Sequence, residues 1–169
     1  MSLAARRKVF VLGDILEIGD TAPEFTALAS VSHTLTLSNL RGKWVVLYFY
    51  PKDNTPGCSR QACAFRDASR KIQSLNAVVV GCSPDDQKSH DKFSTKFDLP
   101  FVLISDPDHE VAEKYGVWVG KNMYGKKVMG IDRSTFLINP EGIVTHIWKK
   151  VKVEHHTDEV IDELTMMQS

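Results

Sequence analysis

The sequence predicts an α/β protein: a central mixed β-sheet with helices on both faces. Three observations carry this. Trp44 to Tyr50 is an unbroken apolar run rich in valine and aromatics, of strand length and apolar on both faces, as a strand buried in mid-sheet requires. A second such run, Asn76-Ala77-Val78-Val79-Val80-Gly81-Cys82, follows a stretch of helical periodicity. Strands and helices then alternate until a hairpin and a last helix, the order of a sheet that mixes parallel and antiparallel strands.

The elements follow in chain order. Ser59 to Leu75 sets Ala62, Phe65, Ala68, Ser69 and Ile72 at helical spacing, with Arg60, Arg66, Arg70 and Lys71 mainly elsewhere, and reads as one amphipathic helix. After the second strand, Asp85 to Phe97 reads as a helix, Phe101 to Ile104 as a strand, and Asp108 to Tyr115 as a helix ended by Gly116. Thr135 to Ile138 and Gly142 to Trp148 are strands joined by the turn Asn139-Pro140-Glu141-Gly142. Thr157 to Met167 is a closing helix that begins at a capping threonine. This is a thioredoxin-like order. No repeat or linker divides the chain, so residues 1–169 are expected to form one domain, with about residues 1–16 an N-terminal extension.

Composition narrows the function. Lys and Arg balance Asp and Glu at 21 each, and no basic stripe interleaves with aromatics, so no nucleic-acid partner is expected. No apolar run approaches the roughly 20 residues of a membrane span, so no membrane association is expected. Three cysteines without a framework spacing suit a reducing compartment, the cytoplasm. They also lack paired Cys-x-x-Cys spacing, and the six histidines do not group with them, so neither a metal nor a cofactor is expected.

Cys58 carries the chemistry. It follows Pro51-Lys52-Asp53-Asn54-Thr55-Pro56-Gly57 and stands at the start of a helix, where unpaired N–H groups and a partial positive charge favour an anion such as a thiolate. Taken singly, its neighbours have ordinary readings: Thr55 as a turn or helix cap, Arg133 as a loop arginine before a strand, Pro51 as a strand end. The segment as a whole resembles the active-site loop of the peroxiredoxins, and Ala62-Cys63 makes it similar to the bacterioferritin comigratory protein, or Q-type, subgroup. The likeness extends through Gly19-Asp20-Thr21-Ala22-Pro23-Glu24-Phe25, Leu40-Arg41-Gly42-Lys43-Trp44, Ser105-Asp106 and Arg133-Ser134-Thr135-Phe136-Leu137-Ile138.

The resemblance implies a thiol peroxidase that reduces hydrogen peroxide and organic hydroperoxides and is recycled by a thioredoxin-like reductant. It makes Cys58 the peroxidatic cysteine, Thr55 and Arg133 the groups that hold the peroxide, and Pro51 a shield against water. Full ionisation of an ordinary thiol gains only about 30-fold at neutral pH, so such an enzyme needs fixed donors on the breaking O–O bond. The resemblance also names Cys63 the resolving cysteine. In an intact helix a five-residue offset separates the Cα atoms by about 8.7 Å and turns the side chains about 140° apart, beyond the roughly 7 Å a disulfide spans, so that bond requires the helix to unwind. The plain alternative for Cys63 is a thiol on the apolar helix face. An intramolecular bond needs no second chain, so a monomer is expected.

Cys82 reads as a core thiol and His155-His156 as a solvated helix start. Phe49 and Trp118 are expected to wall the peroxide pocket. Gln61 departs from the glutamate usual in the family and forfeits an ionic attraction. Two other functions fit the chain: a thiol-disulfide oxidoreductase, disfavoured by the four-residue gap between Cys58 and Cys63, and a peroxide-sensing switch, which only multiple turnover distinguishes from an enzyme.

Overall fold

The computed structural model describes residues 15–31 and 33–169 of the chain. Most of the expected extension lies outside the described residues, and Leu16 is already buried in the core. Among the described residues are nine strands and five α-helices: β1 Thr26–Ala29, β2 His33–Thr36, β3 Trp44–Phe49, α1 Pro56–Asp67, α2 Ser69–Ser74, β4 Ala77–Ser83, α3 Gln87–Phe97, β5 Val102–Ser105, α4 Glu110–Lys114, β6 Trp118–Met123, β7 Lys126–Ile131, β8 Ser134–Ile138, β9 Val144–Trp148 and α5 His156–Met167.

Seven strands form one sheet in the order β2-β1-β5-β4-β3-β8-β9. The three apolar runs β3, β4 and β5 are parallel neighbours at its centre, and β8 pairs antiparallel to β3. Alternation along β3 divides the core. Val45, Leu47 and Phe49 join Tyr115, Phe136 and Cys82 on one face under α4. Val46, Tyr48 and Tyr50 join Cys58, Phe65, Phe93 and Val160 on the other, under α1, α3 and α5. Helices thus cover both faces, as the two-sided apolar strands require.

Several differences separate the structure from the sequence reading, among them α5, which begins at His156 with left-handed His155 in the N-cap place rather than at a capping Thr157. The expected helix from Ser59 to Leu75 is two: it starts earlier, at Pro56, and breaks at Ala68 (φ −92°, ψ 3°) before α2. A start at proline suits the first helical position, where no N–H is needed. The strands β1 and β2 and the hairpin β6-β7 were not foreseen. β1 and β2 are four residues each and half exposed, and the hairpin stands outside the main sheet with Met123, Tyr124 and Met129 in solvent, so neither shows the burial pattern that marks a strand. The turn at 139–142 forms as expected, with Asn139 Oδ1 accepting from the amides of Glu141 and Ile143.

Candidate active site

The chain leaves β3 at the C-terminal edge of the parallel strands, where the Tyr50 amide still donates to Cys82 O at 3.0 Å, and enters the loop 51–55. Asn54 takes a left-handed conformation (φ 59°), which turns the loop into the helix. Thr55 is the N-cap residue in extended backbone, Pro56 the first helical residue and Cys58 the third. The thiol therefore lies within the first turn of α1, among N–H groups that have no helical partner. It is only 2% exposed. Exclusion of water there strengthens each electrostatic contact it makes.

The cation comes from the other side of the loop. Register pairs Phe49 with Ser134, so Arg133, one residue before β8, stands opposite the exit of β3. Its Nη2 donates to Cys58 Sγ at 3.2 Å and its Nη1 to Gln61 Oε1. One planar guanidinium thus holds the sulfur and the helix turn after it, a fork that lysine cannot supply. The carbonyl of Arg133 is held in turn by the Val151 amide at 2.9 Å.

The remaining expected residues are placed as follows. Thr55 makes no side-chain cap; its hydroxyl donates to Lys52 O at 2.9 Å, which leaves its oxygen as an acceptor. Pro51 stands exposed at the entry of the loop. Cys63 is a half-buried free thiol on the same unbroken helix as Cys58. Cys82 is a free thiol 1% exposed in the core of the opposite sheet face, and burial pushes its pKa well up.

Sequence reasoning missed Tyr48 and misread His156. Phe49 is fully buried in the core across the sheet from Cys58, and Trp118 packs against that same core with its ring stacked on His109 at 3.6 Å. Tyr48 does share the Cys58 side. Burial pushes its phenol well above its usual pKa, with the Cys58 charge adding to the effect. Its hydroxyl and Gln61 Nε2 are buried without a hydrogen-bond partner. The signal was parity: residues 48 and 50 alternate with 49 along a strand. His156 is not solvated. It is 2% exposed, its Nε2 lies 2.8 Å from Thr135 Oγ1, and its ring meets Phe65 of α1 edge-on. Burial first, then Arg133, lowers its pKa to about 4.

Comparison with known proteins agrees with this geometry. Residues 18–147 match the AhpC/TSA family. The chain is 47% identical over 152 residues to Peroxiredoxin Bcp of Bacillus subtilis, covering 90% of this chain and 97% of the relative. It is 38% identical over 149 residues to Peroxiredoxin Bcp of Escherichia coli, covering 88% and 96%. Among solved structures, Peroxiredoxin Q of Xanthomonas campestris superposes with a TM-score of 0.83 at 41% identity, over 86% of this chain and 92% of that one. A structure with the same figures, of the Xanthomonas campestris bacterioferritin comigratory protein, is described for its alkyl peroxide reduction activity. A cysteine mutant of Xylella fastidiosa PrxQ reaches 0.88 at 40% identity, over 93% and 100%. With a thiol in a helix first turn, an arginine on its sulfur and relatives matched along nearly their whole length, the chain belongs to the AhpC/TSA family, among its Bcp or Q-type peroxiredoxins.

Proposed function

We propose that this peroxiredoxin reduces hydrogen peroxide and organic hydroperoxides at Cys58. The observation that carries the reading is the Arg133 Nη2 contact to Cys58 Sγ at 3.2 Å, made inside a helix first turn. The thiolate attacks one peroxide oxygen and the O–O bond breaks. The sulfur becomes a sulfenic acid, and the other oxygen leaves with the electron pair and takes a proton, giving water or an alcohol. Arg133 stabilises the charge that develops on the leaving oxygen, and Thr55 Oγ1, with its own proton on Lys52 O, accepts from the peroxide O–H. Pro51 limits water at the loop entry.

Cys63 then resolves the intermediate. Its thiol attacks the Cys58 sulfenic sulfur, a Cys58–Cys63 disulfide forms and water is released, after α1 has unwound far enough to bring the sulfurs together. A thioredoxin-like dithiol returns both to thiols. The cycle closes within one chain, which suits a monomer, and it needs the reducing conditions of the cytoplasm. Among the described residues no helix is long and apolar enough to cross a membrane.

The test is the rate of peroxide with reduced variants. Arg133→Ala should lower the second-order rate by about 10²–10³-fold, as loss of an oxyanion donor does, and Thr55→Val by less. Rates within a factor of two of wild type for both would overturn the assignment.

A further inference from the structure

The loop that carries Cys58 has one buried residue between positions 51 and 55, and it is a carboxylate. Asp53 is 6% exposed. Its Oδ1 accepts from the Tyr50 hydroxyl at 2.6 Å; its Oδ2 accepts from the Ser89 hydroxyl at 2.8 Å and lies 2.7 Å from His90 Nδ1. Its amide donates to Asp85 Oδ2 at 2.7 Å, an oxygen that also takes the Ser83 hydroxyl at 2.6 Å. Tyr50 just after β3, Asp85 of the β4-α3 loop and Ser89 and His90 of α3 therefore converge on one loop position, with Ser83 of β4 behind Asp85.

His90 closes the set. It is wholly buried, and its Nε2 lies 2.9 Å from Ile104 O of β5. A backbone carbonyl only accepts, and an ionised carboxylate only accepts. With Asp53 ionised, each ring nitrogen must carry its own proton, which makes the ring an imidazolium. The Tyr50 hydroxyl, 3.5 Å from Nδ1, already donates its hydrogen bond to Asp53. The charged or titratable groups facing the ring are thus Asp53 from the loop and Tyr50 just after β3, with Asp85 of the β4-α3 loop one hydrogen bond away. One ligand atom each from Asp53, Asp85 and His90 lies within 4.8 Å of the others, but all three side chains are already taken up in hydrogen bonds.

We infer that Asp53 and His90 form a buried ion pair that pins the entry of the Cys58 loop to α3 and β5, and so positions Thr55 and the first turn of α1 for peroxide. They are positioning residues; neither touches the reacting atoms. The inference rests on Cys58 being the peroxidatic thiol. Thr55 is tied to Lys52 O, so its place depends on residues 52 and 53 staying fixed. The pin lies three residues before α1, which makes it the stationary end from which that helix unwinds toward Cys63. Removing one partner takes away the hydrogen bonds that hold position 53 against α3, whether the group left behind stays charged or neutralises, and so frees the loop between its exposed neighbours.

Two measurements test this. In the reduced wild-type protein at neutral pH, nitrogen NMR should show both His90 ring nitrogens protonated; a neutral ring with one bare nitrogen overturns the ion pair. In folded Asp53→Asn and His90→Gln variants, the hydrogen peroxide rate should fall at least tenfold, toward the roughly 10²-fold that an ångström of misplacement costs. Alkylation of Cys58 by iodoacetamide, which needs the thiolate held by Arg133 but not the peroxide contact of Thr55, should change less than about threefold by the same principle of placement. Parallel loss of both rates, or loss of neither, overturns the positioning role. If the variants do not fold, the wild-type NMR result still decides the pair. A wild-type peroxide rate no better than that of free cysteine sinks the peroxidase reading instead, and leaves the NMR test of the pair standing.

Discussion

At the residue scale the site depends on how one guanidinium is shared. Arg133 holds Cys58 with one nitrogen and Gln61 with another, and Gln61 is neutral. A glutamate there would add an ionic attraction to that bond, across the same turn that would have to open for Cys63 to reach Cys58. Gln61→Glu should therefore slow formation of the Cys58–Cys63 disulfide several-fold after a single peroxide turnover, followed by stopped-flow, and favour overoxidation of Cys58. An unchanged rate would show the position to be neutral. Much of this scale was legible in the sequence, because Pro51, Thr55 and Cys58 form one contiguous motif and Arg133 heads a second. Tyr48 and His156 were not, since a tyrosine in an apolar strand and a histidine near a helix start become part of the site only when β3, β8, α1 and α5 pack together.

At the element scale α1 is the working part. It is continuous from Pro56 to Asp67 in the state described, with both thiols free, so the proposed Cys58–Cys63 disulfide would require its first turns to open. Cys63→Ser should still consume one equivalent of peroxide but stop cycling with a dithiol reductant; sustained turnover would remove Cys63 from the mechanism. The central strands and longer helices were legible because their apolar patterns are strong. The break at Ala68 was not, because apolar spacing continues through Ile72 as though the helix were whole. The half-exposed β1 and β2 carry too little apolar alternation to stand out.

At the scale of the whole molecule, the sheet is tightly packed where β4 lies between β3 and β5. A Cβ on Gly81 would meet Leu103 Cδ2 at 2.7 Å and Tyr48 Cζ at 2.9 Å, so Gly81→Ala should destabilise the protein by about 1–3 kcal/mol, read from the urea midpoint. His156 adds a pH dependence. Its pKa of about 4 lies below its ordinary 6.5, so the unfolded chain binds a proton that the folded one refuses. Its contribution is full above pH 6.5 and is lost as pH falls toward 4, on the order of 3 kcal/mol at most. Replacement by glutamine should flatten that part of the stability profile; an unchanged profile would assign the loss to other groups. The central claim, that Cys58 is a peroxidatic thiol resolved by Cys63, meets its most direct test in the second-order rate of hydrogen peroxide with the reduced protein, followed by non-reducing peptide mapping. A rate orders of magnitude above that of free cysteine, with a Cys58–Cys63 crosslink, is the predicted result. A rate near that of free cysteine would contradict it.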